Sequence, residues 1–127
     1  MLLLDTNALL LAMTMPHRLG KRTQRLLSDS TEIYYSSLSS AELAVKQMIG
    51  KLRLVEPIYR LLPGQKYREL PFDSRAVREL YSFTSLVRHD PFDRFILATT
   101  RSHGATLLTS DRKMLELGFD WIKDSYQ

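Results

Sequence analysis

The stretch DPFDRFILATTRSHGATLLTSD, residues 90–111, carries the clearest fold signals in the sequence. Asp90 is suited to cap a helix that begins at Pro91, because aspartate accepts hydrogen bonds from exposed N–H groups and proline fits the first turn. Gly104 marks the end of that helix. Residues 105–109, a short and continuous apolar run, are typical of a buried strand. A helix followed at once by a buried strand favours an α/β domain with a parallel sheet.

The same alternation of helices and strands continues through the rest of the chain. Leu2–Leu4 and Ile33–Ser36 are predicted strands, and helices are predicted over residues 8–13, 18–27, 40–49, 74–86 and 111–117. Residues 52–70 look less regular, with a turn at 62–65 around Pro63-Gly64. The chain is therefore predicted to be a single α/β domain, residues 1–127, whose ligand site lies beyond the carboxyl ends of the strands.

Composition narrows the class of protein. The chain has 127 residues, 44% hydrophobic and 25% charged, which suits one globular domain. It has no cysteine, so a disulfide framework is excluded and a reducing cytoplasm is the expected location. The start, residues 1–5, has no basic segment, and the apolar residues 8–13 fall far short of the ~18–20 needed to span a membrane. We expect no membrane association, and the net charge of +4 is a modest hint of a polyanionic partner.

Four acidic residues are expected at one end of the sheet. Asp5 and Asp111 directly follow predicted strands, so both carboxylates lie at strand carboxyl ends. Glu42 and Asp93 lie in the first turns of two predicted helices, and helices that follow strands in this architecture begin at the same end. Carboxylates from four separate segments are therefore expected to converge.

A helical wheel places Glu42 at the edge of an apolar face. That predicted face consists of Ala41, Ala44, Val45, Met48, Ile49 and Leu52. A carboxylate at such an edge must be solvated, paired or bound to a ligand. Glu42 is therefore predicted to border a cleft.

A structural explanation competes with this interpretation. Asp5, Asp90, Asp93 and Asp111 each precede or open a helix, where aspartate is favoured for capping and for the helix dipole, and Glu42 alone suits a solvated helix surface. Capping does not explain why four acidic residues belong to one end of the sheet, with no Lys or Arg in the Asp5-Thr6-Asn7 segment. Both interpretations stay open at this point.

A cluster of carboxylates favours a bound cation. Neighbouring negative charges raise one another's pKa values unless a cation relieves the repulsion. Oxygen ligands suit Mg²⁺ or Mn²⁺, and the absence of cysteine, with only three histidines, argues against zinc. Such an ion beside basic residues is suited to phosphodiester hydrolysis.

The ordered motifs resemble those of PIN-domain ribonucleases, specifically the VapC toxins of bacterial toxin–antitoxin pairs. The motifs are Leu4-Asp5-Thr6-Asn7; Ser36, Ser39 and Glu42 ahead of Gly50-Lys51-Leu52; His89-Asp90-Pro91-Phe92-Asp93-Arg94; and Thr109-Ser110-Asp111. The likeness extends from Leu2 to Trp121. Ala41 departs from it, since many relatives carry an aromatic residue before the glutamate. The resemblance implies a three-layer α/β/α sandwich with a mainly parallel central sheet.

The resemblance also implies an activity and its residues. It predicts a Mg²⁺- or Mn²⁺-dependent endoribonuclease that forms homodimers and is silenced by a cognate antitoxin protein. The implied catalytic metal ligands are Asp5, Glu42, Asp93 and Asp111, with Asp5 and Asp93 the firmest. Residues expected to orient these carboxylates are Thr6, Asn7, Ser39, Thr109 and Ser110. Candidate RNA contacts are Lys46, Arg88, Arg94, Arg112 and Lys113, each of which equally suits a solvated surface.

Rival functions are separated by the acidic pattern. A phosphatase of the haloacid dehalogenase type needs a second aspartate two residues after Asp5, where this chain has Asn7. A phosphoacceptor receiver domain needs an acidic pair after the first strand, which is also missing. The remaining alternative is a PIN-like module without turnover that binds RNA or protein. It predicts no specific metal binding, whereas a nuclease predicts Mn²⁺ binding through Asp5 and Asp93.

Overall fold

The computed structural model describes residues 1–86 and 90–127. Five strands form one sheet: β1 Leu2–Leu4, β2 Ile33–Ser36, β3 Arg68–Leu70, β4 Thr106–Thr109 and β5 Ile122–Asp124. Their order is β3-β2-β1-β4-β5, and each of the four pairings is parallel. The most apolar strand, β1, is thus central, where both of its faces are covered.

Helices connect the strands and cover the sheet. The described α-helices are α1 Thr6–Thr14, α2 Lys21–Asp29, α3 Ser37–Met48, α4 Ile58–Leu61, α5 Ser74–Leu80, α6 Pro91–Ser102 and α7 Arg112–Leu115. Short 3₁₀ turns occupy Pro16–Arg18, Leu62–Gly64 and Thr84–Leu86. The second of these turns lies where the Pro63-Gly64 break was predicted.

Two hydrophobic clusters lie on opposite faces of the sheet. Because successive strand residues point to opposite sides, Leu4 and Leu108 pack with α1–α4 while Leu3 and Leu107 pack with α5–α7. All four leucines are completely buried. The result is a three-layer α/β/α sandwich with a parallel sheet, as predicted.

The signals at residues 90–111 form the predicted structure. The Asp90 side chain caps α6 by accepting a hydrogen bond from Phe92 N at 2.9 Å. Gly104 adopts φ 61°, a left-handed conformation that favours glycine, and the chain then turns into β4. Five consecutive residues of α6, 96–100, are buried, so this helix is firmly packed between the sheet and its neighbours.

The predicted helix over residues 74–86 is wrong in its second half. Helix α5 ends at Leu80, and the chain then tightens, with Ser82 N and Phe83 N bonded to carbonyls three residues back. This tighter path carries Phe83 into the core, where it is 2% exposed and meets the ring of Trp121 edge-on. Burial of that ring explains why the regular helix stops early.

The sequence did not predict the two outer strands. β3 lies within the stretch expected to be irregular, and β5 lies after the last predicted helix. Each has three residues, including charged ones such as Arg68 and Lys123. Short, charged edge strands lack the apolar run that marks a central strand.

The apolar face predicted for α3 is largely wrong. Val45, Met48 and Ile49 are 52%, 84% and 60% exposed, whereas Leu43, which the wheel left off that face, is 1% exposed. Ala44 and Leu52 do pack partly against the core, as predicted. Helix α3 is therefore rotated so that Leu43 faces the sheet.

No helix in the described part of the chain is long and apolar enough to cross a membrane.

Candidate active site

Asp5 is buried at the carboxyl end of β1. The residue is 5% exposed. Its side chain accepts two hydrogen bonds. Oδ1 accepts from Ala8 N at 2.7 Å, which caps α1, and Oδ2 accepts from the Thr109 hydroxyl at 2.5 Å. Burial raises the pKa of Asp5 to about 6, and the charges of Asp111 and Glu42 raise it too, against the opposing effect of the two hydrogen bonds. Asp5 therefore caps helix α1 and also belongs to the acidic group at the strand ends, so both interpretations of this residue apply.

Thr109 links Asp5 to Asp111. The Thr109 hydroxyl, fully buried at the end of β4, donates to Asp5 and accepts a hydrogen bond from Asp111 N at 3.0 Å. Asp111 in turn caps α7, since its Oδ1 accepts from Met114 N at 2.9 Å. Adjacent strand ends of β1 and β4 therefore hold two carboxylates on one hydrogen-bonded framework.

Helix α3 brings Glu42 to the same place. Ser36 caps the helix, which begins at Ser37, three residues earlier than predicted. Glu42 consequently lies in the second turn, and its expected position in the first turn is wrong. Its Oε1 lies 3.5 Å from Nζ of Lys46, one turn further along the same helix.

Asp93 comes from the first turn of α6, as predicted, and is partly buried. Its backbone N–H bonds to the carbonyl of Asp90, whose own side chain caps the helix. The two aspartates of this motif therefore differ in placement, because Asp93 lines the pocket and Asp90 is exposed at the helix end.

One pocket of about 210 Å³ joins these side chains beyond the carboxyl ends of β1 and β4. It is lined by Asp5, Thr6, Asn7, Leu10, Glu42, Leu43, Lys46, Asp93, Ser110 and Asp111. All four acidic residues that the sequence singled out are among them. In the positions described, no three acidic or histidine side chains of residues 1–86 and 90–127 are close enough to share one ion. An ion held in these positions would use one or two of the carboxylates, with water or substrate oxygens as its other ligands.

Two leucines at the pocket were missed by the sequence reasoning. Leu10 follows Asp5 by five residues on α1, and Leu43 adjoins Glu42 on α3. The signal was present in the apolar run of residues 8–13 and in the position of Leu43 beside the acid. Both supply apolar wall next to carboxylates, which reduces their contact with water.

The polar residues expected to orient the carboxylates fall into two groups. Thr109 contacts Asp5 directly, as described above. Thr6 donates to Ser39 Oγ at 3.0 Å, which ties the start of α1 to α3. Asn7 Nδ2 lies 3.5 Å from Ser110 Oγ across the pocket. Thr6, Ser39, Asn7 and Ser110 thus connect the segments that carry the acids.

The predicted RNA-contacting residues lie at different distances from the pocket. Lys46 lines the pocket, while Arg112 and Lys113 are exposed on α7 and are not part of its described lining. Arg94 is partly buried, and its Nε has no hydrogen-bond partner among the described residues. Arg88, like the neighbouring His89, lies outside the described residues.

The donor set fits a hard divalent cation. The described lining offers carboxylate, hydroxyl and amide oxygens and contains no sulfur or imidazole, which suits Mg²⁺ or Mn²⁺. The charge on buried Asp5 is disfavoured by its surroundings, and a nearby cation would relieve that cost.

Comparison with known proteins identifies the family. A family model described as the PIN domain matches residues 2–120. The chain belongs to the PIN domain family. This confirms the resemblance seen in the motifs, which extends over nearly the same residues, Leu2 to Trp121. Comparison with curated protein sequences gives no match.

Solved structures share the fold of this PIN domain. VapBC-1 from nontypeable Haemophilus influenzae is 19% identical with a TM-score of 0.74, covering 99% of this chain and 98% of that one. A toxin–antitoxin complex from Klebsiella pneumoniae is 17% identical with a TM-score of 0.69, covering 100% and 99%. FitAcB from Neisseria gonorrhoeae is 25% identical with a TM-score of 0.59, covering 87% and 88%.

Proposed function

We propose that this PIN domain is a metal-dependent endoribonuclease and acts in the cytoplasm as the toxin of a toxin–antitoxin pair. The observation that carries the proposal is the convergence of Asp5, Glu42, Asp93 and Asp111, from four separate elements, on one pocket. Holding four acidic groups around one pocket, Asp5 buried and the other three partly buried, costs stability unless they bind something. Capping accounts for the placement of Asp5 and Asp111, but it does not account for Glu42, which caps nothing.

The acidic residues would hold Mg²⁺ or Mn²⁺, with Asp5 and Asp93 as the principal ligands and Glu42 and Asp111 completing the site. When bound, such an ion polarises the phosphate and activates water for attack on phosphorus. The Thr109 hydroxyl keeps Asp5 Oδ2 oriented, and the backbone of Ala8 keeps Oδ1 oriented, so one carboxylate is fixed before substrate arrives. Leu10 and Leu43 limit the access of bulk water beside the carboxylates.

An RNA strand is the proposed substrate, and basic groups near the pocket support it. Lys46 lies in the pocket itself, and Arg112 and Lys113 are exposed on the helix that follows Asp111. Cations placed beside an acidic metal site attract phosphates on either side of the bond to be cut. The overall net charge of +4 has the sign that such a substrate requires.

A cognate antitoxin and a second copy of the chain are the proposed protein partners. Several structural neighbours are toxin–antitoxin complexes, which supports an antitoxin partner. Val45, Met48 and Ile49 expose apolar side chains along one side of α3. Three exposed apolar residues at spacings of three and four along the chain favour a protein contact on this side.

The test is cleavage of a panel of single-stranded and structured RNAs by the purified full chain with Mn²⁺, Mg²⁺ or EDTA. We expect metal-dependent cleavage, and we expect the Asp5→Asn/Asp93→Asn variant to lose more than the ~10–100-fold typical of groups that only orient metal ligands. Asp90→Asn is the matched control, because it makes the same change three residues from Asp93 while retaining a side chain that can cap α6. It should cleave like the wild type.

Two results would argue against this proposal. Cleavage that persists in the double variant would identify a contaminating nuclease. Absence of both cleavage and Mn²⁺ binding, measured by calorimetry on the same samples, would favour a PIN-like module that binds RNA or protein without turnover.

A further inference from the structure

Lys46 lies inside the acidic pocket and is already paired with one of its carboxylates. It follows Glu42 by one turn of α3, and its Nζ lies 3.5 Å from Glu42 Oε1. The Glu42 side chain is 16% exposed and that of Lys46 is 47% exposed. The carboxylate is therefore held within the pocket, while the lysine chain approaches it from the solvent side.

Two other side-chain ion pairs lie away from the acidic pocket. Arg75–Asp73 and Arg101–Glu79 join groups that line none of it, so neither places a positive charge beside its carboxylates. Glu42 shares its pocket with Asp5, Asp93 and Asp111. The positive charge of Lys46 beside Glu42 therefore acts on all four carboxylates of the pocket.

The position of Lys46 bears directly on ion binding. A divalent cation that uses Glu42 needs a lone pair of the same carboxylate group that the ammonium now approaches, and it is repelled by that ammonium at short range. A flexible, half-exposed lysine can swing toward solvent at little cost. The ammonium and the divalent ion are thus alternative partners of one carboxylate.

We propose that Lys46 is a built-in counter-cation of the acidic pocket, which pairs with Glu42 in the metal-free protein and is displaced from it when the divalent ion binds. This inference rests on the proposed function, because it takes the pocket to be the metal site. The displaced ammonium is then available to the phosphate of a bound strand. Lys46 accordingly opposes metal binding and favours RNA binding, two effects of opposite sign from one side chain.

The experiment measures Mn²⁺ binding to the metal-free full chain by isothermal titration calorimetry, with electron paramagnetic resonance of free Mn²⁺ as a second readout. We expect Lys46→Met to bind Mn²⁺ on the order of five-fold more tightly than the wild type at low salt, with a smaller gain at high salt. Lys46→Arg keeps the charge and should bind within about two-fold of the wild type. Lys21→Met, the same change at an exposed lysine of α2 outside the pocket, should also leave affinity unchanged.

A double-mutant cycle tests whether Lys46 acts through Glu42. In the Glu42→Gln background, removing Lys46 should tighten Mn²⁺ binding much less than it does in the wild type, because the shared carboxylate charge is gone. Thermal unfolding gives an independent readout. In EDTA the Lys46→Met variant should melt below the wild type, and saturating Mn²⁺ should raise its melting temperature by more than it raises that of the wild type.

The effect of Lys46 on RNA affinity should be opposite to its effect on Mn²⁺ affinity. With a non-cleavable RNA analogue and Ca²⁺ in place of the active ion, Lys46→Met should bind more weakly than the wild type, with a shallower salt dependence. If Lys46→Met binds Mn²⁺ as the wild type does, or more weakly, the counter-cation role is wrong while the nuclease proposal stands. If the wild type itself binds no Mn²⁺, both proposals fail together.

Discussion

The two sides of the acidic pocket are built in different ways. The inner wall, which consists of Asp5 and Asp111 with Thr109 buried behind them, is assembled at the ends of β1 and β4. Its hydrogen bonds, of 2.5–3.0 Å, link these residues to one another and the carboxylates to helix N–H groups. On the α3 wall, which consists of Glu42 and Lys46, the described partner of the carboxylate is the lysine ammonium at 3.5 Å. Val45, Met48 and Ile49 nearby are exposed.

The inner wall therefore has a preorganised geometry, whereas the charge on the α3 wall is adjustable. On the inner wall each carboxylate is oriented by the first turn of a helix, and Asp5 also by the Thr109 hydroxyl at the end of β4, so its position is set by the fold. On the α3 wall the Glu42 carboxylate is paired with Lys46, which solvent or ions can replace. We infer that the inner wall determines where an ion would bind, and that the α3 wall determines how readily ions and phosphates exchange there.

The largest expected effect concerns the charge on Asp5. Its pKa is raised from 3.8 to about 6, chiefly by burial. A raised carboxyl pKa means that the folded state holds a proton which the unfolded state releases, so stability falls as pH rises from about 4 to about 6 and stays lower above that. In metal-free protein at pH 7, Asp5→Asn should therefore be more stable than the wild type by about 3 kcal/mol, the equivalent of roughly two pKa units. Urea unfolding in EDTA at pH 4 to 7 measures this.

The pH profile is the control for that prediction. The gain should shrink to a small part of its pH 7 value near pH 4, where the folded-state carboxyl is protonated and the unfolded-state carboxyl is about half protonated. Saturating Mn²⁺ should stabilise the wild type more than the variant. An Asp5→Asn variant that is destabilised equally at every pH would mean that Asp5 serves the fold only as a cap, and the contrast between the two walls would lose its basis.

The next effect concerns the hydroxyl that joins the inner wall. Thr109→Val keeps the size of the side chain but removes the donor to Asp5 and the acceptor for Asp111 N. Leaving buried groups without partners costs about 1–3 kcal/mol, and we expect the loss to be larger at pH 7, where the Asp5 charge needs the donor, than at pH 4. Thr109→Ser retains the hydroxyl and should lose only about 1 kcal/mol for the missing methyl group. Equal losses in the two variants would assign the effect to packing.

The inner wall could be predicted from sequence because it follows from local rules. Asp5 and Asp111 directly follow apolar strands, and the carboxyl ends of parallel strands meet at one edge of the sheet. The same residues also predict helix capping, so the sequence alone could not decide whether Asp5 is a cap or a site residue. The structure shows that Oδ1 caps α1 while Oδ2 is bonded to Thr109. The hydroxyl of Thr109 was expected to orient a carboxylate, but its bridging position depends on the β1–β4 register, which no local pattern specifies.

The α3 wall was harder to predict because its signals are ambiguous. The helix has two apolar arcs, one with Leu43 and the other with Val45 and Met48, and periodicity alone does not decide which arc faces the sheet. Its start was also misplaced, since β2 runs directly into the helix at Ser36, which is both the last strand residue and the cap. Contacts of α3 with α1 and α6 decide which arc is buried, and they join residues that are far apart in sequence.

The smallest expected effect lies at the outer end of α3. Met48 is 84% exposed, so Met48→Gln should change the free energy of unfolding of the isolated chain by no more than about 0.5 kcal/mol. Chemical unfolding at low and high protein concentration measures this. A loss above about 1 kcal/mol that grows with protein concentration would mean that a second copy covers this surface in solution. The α3 wall would then be held by an assembled partner, and its adjustability would depend on whether that partner is bound.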